Sequence, residues 1–190
     1  MNGINNMNVI ANNCIGARIY QIKKSEYKNP FMWSLINPTN FVDLINNYDN
    51  IDFTKIEVDK NNVTIDGKIK FFYPHYRYGE YDKPTRIGND IFSKNCQQFI
   101  TDRYSYRIKR MLDAKEDPIF VLSDKDNIYT DYVFNDYTLL DKINTKYRVI
   151  LAGEFDCEFD KDKFEYVFAK KTSNTRPIGY SVVNGIKNLG

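Results

Sequence analysis

The chain has 190 residues, of which 42% are hydrophobic and 27% are charged, and its formal net charge is +2. These values are typical of one compact globular domain and exclude a disordered or fibrous class. The near balance of acidic and basic residues indicates no nucleic-acid partner. No apolar run approaches the roughly 18 residues that cross a bilayer, and the polar start does not resemble a signal peptide, so we expect a cytoplasmic protein.

The cysteines and the single histidine limit the possible chemistry. Cys14, Cys96 and Cys157 are widely spaced and form no CxxC pair, so neither a disulfide framework nor a zinc site is predicted. His75 is the only histidine, and any mechanism with an imidazole base must use it. Gly16 has no phosphate-binding glycine motif around it. We therefore predict no metal and no cofactor, and the oligomeric state stays open.

The first half of the chain begins with a buried strand that leads into a helix. Asn8–Ala11 is a short apolar run closed by two asparagines, and isoleucines at helical spacing follow over Gly16–Lys24. A second helix is predicted next, capped by Thr39 or Asn40, with Phe41, Leu44, Ile45 and Tyr48 on one face. Period-two alternation then predicts three strands, over residues 55–58, 62–65 and 68–73.

The second half alternates helices with strands, a pattern that predicts parallel pairing. The predicted elements are a long helix, a strand, a short helix, a strand and an edge strand, over residues 89–112, 118–122, 137–144, 147–152 and 164–169. Residues 1–170 are interpreted as a single domain, and residues 171–190 as a polar tail. The predicted fold class is α/β, a three-layer α/β/α arrangement with a mixed, mainly parallel sheet.

Several reactive side chains follow predicted strands. Asn12-Asn13-Cys14 comes after the first strand, and Asp124 comes after the strand at 118–122. Ligands of open α/β sheets bind outside the carboxyl ends of the strands, so we expect these residues near a site. His75 follows a hairpin strand and joins them only if that strand is parallel to the others.

Cys14 lies at the start of the first predicted helix, where backbone N–H groups and the helix dipole stabilise a thiolate. In that interpretation His75 takes the proton and Asp124 orients the imidazole. The same helix start, with the Asn12-Asn13 pair and Gly16, can instead hold a phosphate or an oxyanion. A buried, purely structural Cys14 is an equally open interpretation.

Arg103, Arg107 and Arg110 recur at helical spacing and line one side of the long helix. Aligned guanidinium groups can bind phosphate or carboxylate. The more common outcome of such a row is a solvated face whose aliphatic stems cover apolar surface. Both interpretations stay open for these three residues.

Five segments carry a family resemblance. They are Asn12-Asn13-Cys14-Ile15-Gly16, Asn29-Pro30-Phe31-Met32-Trp33, Asn40-Phe41, Pro74-His75-Tyr76 and the helix with Arg103 to Arg110. Together, over roughly residues 8–154, they resemble a bacterial family of unknown function associated with exopolysaccharide biosynthesis, which implies a three-layer α/β fold. More loosely, the Cys14 and Pro30-Phe31-Met32-Trp33 segments resemble papain-like cysteine peptidases, which implies Cys14 and His75 as a catalytic pair.

Three functions follow as hypotheses. The first is a cysteine-dependent hydrolase or transferase of surface or exopolysaccharide metabolism, with Cys14 as nucleophile, His75 as base and Asp124 as orienting carboxylate. The second is a non-catalytic binder of sugar phosphates or nucleotide sugars, in which the helix start and the arginine row neutralise the anion. The third is an interaction protein that uses the tyrosine-rich surface at residues 73–81. The first two expect a small-molecule or glycan ligand.

Overall fold

The computed structural model describes residues 7–27, 29–124, 134–168 and 180–185. The described strands are β1 (Asn8–Ala11), β2 (Leu35–Ile36), β3 (Ile56–Asp59), β4 (Asn62–Ile65), β5 (Ile69–Phe72), β6 (Tyr76–Tyr78), β7 (Thr85–Ile87), β8 (Asp90–Ser93), β9 (Pro118–Ser123), β10 (Arg148–Gly153) and β11 (Glu165–Phe168). The α-helices are α1 (Ile15–Lys23), α2 (Pro38–Asn47) and α3 (Cys96–Ala114), with 3-10 turns at Tyr48–Asn50 and Tyr137–Leu140. Residues 180–185 are also helical.

The strands form three sheets. One sheet has the order β1-β9-β10-β11, and all its neighbours pair in parallel. A second, antiparallel sheet has the order β2-β5-β4-β3, and a third has the order β6-β8-β7. The predicted α/β class is therefore confirmed. The predicted hairpin strands do not join the parallel strands in one mixed sheet but pair with β2 and β3 in a separate antiparallel sheet. None of the helices in the described ranges has the length and apolar content that a bilayer crossing requires.

Both faces of the parallel sheet are covered by apolar side chains, because alternate residues of a strand point to opposite faces. One buried cluster joins the sheet to α1 and includes Val9, Val121, Ile150, Ile15 and Ile19. The other joins the sheet to α2, α3 and the antiparallel strands and includes Ile10, Phe120, Leu151, Phe41 and Ile108. Most of the predicted tail lies outside the described residues, but Val182 and Val183 belong to the cluster on the α1 side.

The start of α2 differs from the prediction. The side chain of Asn37, and not that of Thr39 or Asn40, caps this helix by accepting a hydrogen bond from the Asn40 backbone N–H at 2.9 Å. Pro38 occupies the first helical turn, where its fixed φ is already helical and its missing N–H costs nothing. The helix therefore starts at the proline and ends at Asn47.

The long helix also starts later than predicted. Residues 90–93 form β8, which pairs with β7 across a turn in which Gly88 has a φ of +61°. The helical stripe predicted at Cys96, Ile100, Tyr104, Ile108 and Met111 is buried, as expected. The predicted short helix at 137–144 is a 3-10 turn of four residues.

Candidate functional site

The carboxyl ends of β1, β9 and β10 meet at one edge of the parallel sheet, and Asn12 ties this edge together. Its side-chain amide donates to the Ser123 carbonyl at 3.1 Å and accepts from the Ser123 N–H at 2.9 Å. The Asn12 carbonyl accepts from the N–H of Ile36 at 2.8 Å, which joins β2 to the same point. Asn12 is completely buried. The hydrogen bonds described for Asn12 are therefore all made to backbone groups of the chain.

Asn13 and Gly16 shape the turn that presents Cys14. The Asn13 side-chain oxygen accepts from the Ile15 N–H at 3.0 Å and so satisfies one donor at the start of α1. A Cβ added at Gly16 would lie 3.2 Å from the Cβ of Ala11, so the helix approaches β1 closely there. Cys14 is the half-buried N-cap residue of α1 and forms no disulfide.

Asp124 is a completely buried carboxylate between the ends of β9 and β10. Its Oδ2 accepts from the Glu154 N–H at 3.1 Å. Gly153 has a φ of +154°, and a Cβ there would lie 1.6 Å from Asp124 Oδ1. Burial, then Asp156 and then Asp124, raise the pKa of the Cys157 thiol. The neighbours of Asp124 therefore include the ends of these two strands, Cys157 and Tyr166.

Asp90 is the carboxylate that contacts His75 in the structure. The His75 Nδ1 lies 3.2 Å from Asp90 Oδ1, and Arg77 Nε donates to Asp90 Oδ2 at 2.6 Å. The hydrogen bond from Arg77, with a smaller contribution from His75, lowers the pKa of Asp90. His75 follows β5, which pairs only with antiparallel neighbours. The strand-end rule therefore does not bring it to the edge of the parallel sheet.

Trp33 connects His75 to α1. The rings of Trp33 and His75 meet edge to face with 6.1 Å between their centroids. The guanidinium of Arg18 lies 4.9 Å from the centroid of the Trp33 ring. Arg18 is one helical turn after Cys14, and its N–H donates to the Cys14 carbonyl. The Trp33 ring therefore contacts both the His75 ring and the guanidinium of Arg18 in α1.

A separate cavity of about 370 Å³ lies between the second half of α1, the segment that follows it, and α3. We call it the arginine cavity. Its lining includes Tyr20, Lys24, Tyr27, Arg103, Arg107 and Arg110. The three arginines predicted from helical spacing thus line one open cavity. Among the described residues that line it, Glu26 is the only carboxylate, against four cationic side chains.

Arg107 is the most deeply placed of the three arginines, with only 5% of its surface exposed. Its Nη1 donates to the Met32 carbonyl at 3.1 Å, and its guanidinium lies 5.7 Å from the centroid of the Tyr27 ring. Burial raises the pKa of the neighbouring Tyr73, although Arg107 acts in the opposite direction. No carboxylate within the described ranges pairs with Arg107. A buried guanidinium without a counter-charge is costly, so an incoming anion would find a favourable position there.

Arg103 and Arg110 lie one turn before and one turn after Arg107. Arg103 is exposed and stacks on Phe99 at 5.2 Å, and it likewise has no carboxylate partner in the part of the chain that the structure describes. Arg110 forms an ion pair with Glu26. Two of the three guanidinium groups therefore lack a described counter-charge.

A second cavity of about 370 Å³ has the opposite charge character. It lies between the 3-10 turn at Tyr137–Leu140 and the connection from β10 to β11, and its lining includes Asp141, Glu158 and Asp160 with Lys163. The arginine cavity therefore differs in charge from this second cavity, although a further cleft, lined by Arg18 and Lys24, is also positive. This contrast makes the arginine cavity the stronger candidate for an anionic ligand.

Comparison with protein families gives one match. The family described as Domain of unknown function (DUF1919) matches residues 3–179. The chain belongs to this family. Membership in a family of unknown function, the coarser part of the resemblance seen in the sequence, is thereby confirmed. No curated protein matches the chain.

The DUF1919 domain does not bring all the predicted site residues together. Tyr20 and Lys24, in or just after the second half of α1, line the arginine cavity, whereas Cys14 lies at the other end of this helix. Nine residues of α-helix span about 13 Å. The helix start and the arginine row are therefore two separate places. Asp124 and His75, in turn, have different described partners.

Several residues of the DUF1919 sites were missed from the sequence. Asp90 was assigned to the start of the long helix, so its contact with His75 was not expected. Glu26 and Tyr27 lie between a helix and a proline, where no periodicity predicts their position. Glu26 and Tyr27 contact Arg110 and Arg107 of α3, and these contacts depend on the tertiary fold.

Proposed function

We propose that this DUF1919 domain binds a sugar phosphate, or the phosphate end of a nucleotide sugar, in the arginine cavity. The observation that carries the proposal is Arg107, a guanidinium that is 5% exposed and has no carboxylate partner in the described ranges. Arg103, at the rim of the cavity, supplies a second guanidinium that has no carboxylate partner in the described ranges. A planar guanidinium can bind two oxygens of a carboxylate or of a phosphate, and the phosphate has a third oxygen left for a second guanidinium.

The size of the cavity supports a small ligand. Pockets for small molecules typically range from about 300 to 1,000 Å³, and the arginine cavity, at about 370 Å³, lies near the lower end. A hexose phosphate is of this size, whereas a whole nucleotide sugar would extend beyond it. The polar lining residues Gln21 and Ser25 provide hydrogen-bond partners for sugar hydroxyl groups. The association with exopolysaccharide metabolism and a cytoplasmic location belong to this proposal as well.

Binding of glucose-6-phosphate, measured by calorimetry and by thermal stabilisation, tests the proposal. We expect Arg103→Gln to weaken binding about tenfold, because a charge-assisted contact to phosphate is lost. Arg107→Lys keeps the charge but loses the planar fork, so it should also weaken binding. Affinity should fall as salt rises from about 0.05 to 0.5 M.

Arg86→Gln, an exposed change on β7, is the matched control because it alters the net charge equally but lies outside the cavity lining. Cys14→Ser should leave binding nearly unchanged. Glucose should not bind, since it lacks the phosphate. The proposal fails if glucose-6-phosphate does not bind, or if Arg103→Gln and Arg86→Gln weaken it equally.

A second candidate function is a cysteine-dependent hydrolase or transferase, with Cys14 as nucleophile and His75 as base. The observation that favours it is the Nδ1 contact of His75 with Asp90, because a carboxylate on one ring nitrogen orients the other for proton transfer. In this candidate Asp90 takes the orienting role expected of Asp124. The glycan substrates suggested by the family resemblance would be the acceptors.

Alkylation by iodoacetamide tests this second candidate. Cys14 should react faster than the other two thiols, with an apparent pKa below about 8.5, because it lies at a helix N-terminus. Burial raises the pKa of Cys96, and burial with Asp156 raises that of Cys157, so both should react slowly near neutral pH. His75→Ala should slow Cys14 and leave the other two thiols unchanged. Equal rates at all three cysteines would contradict a catalytic Cys14.

A further inference from the structure

The one carboxylate in the described lining of the arginine cavity already forms an ion pair with one of the arginines there. Glu26 Oε2 forms an ion pair with Nη2 of Arg110. Glu26 belongs to the segment just after α1, which begins at Lys24 with a left-handed φ of 54°. The pair is thus made between this segment and the end of α3. Glu26 and Arg110 line the same cavity as Arg107, and Arg107 pairs with no carboxylate in the described ranges.

The two partners of this ion pair differ in exposure. The Glu26 side chain is 81% exposed, whereas that of Arg110 is 26% exposed. Glu26 can therefore leave Arg110 and stay hydrated, while Arg110 remains in the cavity. An exposed ion pair of this kind contributes little stability, so little is lost when it opens. Arg110 is consequently available to any anion that competes successfully with Glu26.

We propose that Glu26 is a tethered competitor for the ligand at Arg110, and that it selects doubly charged phosphomonoesters over singly charged anions. This inference rests on the proposed function. A monoanion that displaces Glu26 replaces one charge by one charge. A phosphomonoester carries nearly two charges and three acceptor oxygens, so it can hold Arg107 and Arg110 at once. The same carboxylate therefore sets both the affinity and the charge preference of the cavity.

The tethered competitor has a measurable consequence. Glu26→Gln keeps the size of the side chain but removes its charge, so Arg110 no longer has an internal partner. We expect glucose-6-phosphate to bind about three- to tenfold more tightly to this variant, because the ligand no longer has to displace an ion-paired carboxylate from Arg110. Wild-type protein should bind glucose-6-sulfate, which has a similar shape and one charge fewer, about tenfold more weakly than the phosphate.

Calorimetry on the full chain, with wild type and matched variants, tests this inference. Glu26→Asp keeps the charge on a shorter side chain and should tighten binding less than Glu26→Gln. Glu80→Gln is the matched control, because Glu80 contacts Tyr78 and lies outside the cavity lining. In an Arg110→Gln background, Glu26→Gln should have no effect, since the competitor acts through Arg110.

The outcomes separate this inference from the proposed function. If no variant binds glucose-6-phosphate, the proposed function itself fails. If wild type binds and Arg103→Gln weakens binding, but Glu26→Gln leaves it unchanged or weaker, the competitor role of Glu26 is overturned alone. A tightening by Glu26→Gln that persists in the Arg110→Gln background, or is equalled by Glu80→Gln, also overturns it. Equal affinities of wild type for the phosphate and the sulfate overturn the charge preference.

Discussion

The two ends of α1 use polar side chains in opposite ways. At its start, Asn12 and Asn13 donate to or accept from backbone groups of the chain itself, which fixes the ends of β1 and β9. Just beyond its other end, Arg103 and Arg107 line a cavity and have no carboxylate partner among the described residues. Buried amides that are hydrogen-bonded internally hold the fold together, whereas uncompensated charges are retained at a cost. The difference favours the second half of α1 as the ligand-binding end.

The largest expected effect concerns the structural end. Gly153→Ala would place a Cβ 1.6 Å from Asp124 Oδ1, so either the strand or the buried carboxylate must move. We expect the free energy of unfolding to fall by about 3 kcal/mol, from overpacking and from the strained φ together. Chemical denaturation of the purified variant measures this directly.

Gly67→Ala is the matched control for the backbone term. Gly67 also has a positive φ, of +66°, but an added Cβ there would meet nothing within 4 Å. Its cost should therefore be only about 1 kcal/mol. If both substitutions lower the free energy of unfolding equally, the Asp124 contact does not rigidify the sheet edge. The start of α1 would then not be the structural end of the helix.

Alkaline pH provides a smaller effect. Burial raises the pKa of Tyr48 to about 12, and it also raises the pKa values of Tyr20, Tyr73 and Tyr104. A folded-state pKa above the unfolded value favours the protonated native state, so this stability is complete below pH about 10 and is lost as pH rises further. Denaturation at a series of pH values should show this loss.

Tyr48→Phe separates one residue from this group of tyrosines. Its stability curve above pH about 10 should be shallower than that of wild type, by on the order of 2 kcal/mol at the highest pH. Tyr20 lines the arginine cavity and Tyr73 adjoins Arg107. A Tyr20→Phe variant therefore tests the same loss of stability at alkaline pH for a hydroxyl group at the cavity. A wild-type curve that stays flat through pH 11 would contradict the burial of these hydroxyl groups.

Short-range patterns predicted much of this molecule. The strand-to-helix junction, the buried stripe of α3 and the parallel strands of the second half all follow from periodicity, and the structure confirms them. The start of α3 was wrong because β8 is followed at once by helical residues, and no strong breaker separates the two. The arginine row was visible in the sequence. The sequence did not show which end of α1 this row faces, because that depends on how α1 and α3 pack.

The candidate site shows the same limit. Cys14, His75 and Asp124 were grouped from their positions after strands, but β5 belongs to an antiparallel sheet, and the partner of His75 is Asp90. The strand-end rule applies within one parallel sheet, so it holds for Cys14 and Asp124 and does not extend to His75. Glu26 was not predicted because a carboxylate in a connecting segment has no periodic signal.

Hydrogen exchange with and without glucose-6-phosphate tests the central claim most directly, since it reports where the ligand slows amide exchange. We predict increased protection over residues 20–27 and in α3 from Arg103 to Arg110, with no change over residues 12–17. Protection confined to residues 12–17, or centred on His75, would contradict the arginine cavity as the ligand site and would place the ligand at the Cys14 end of α1.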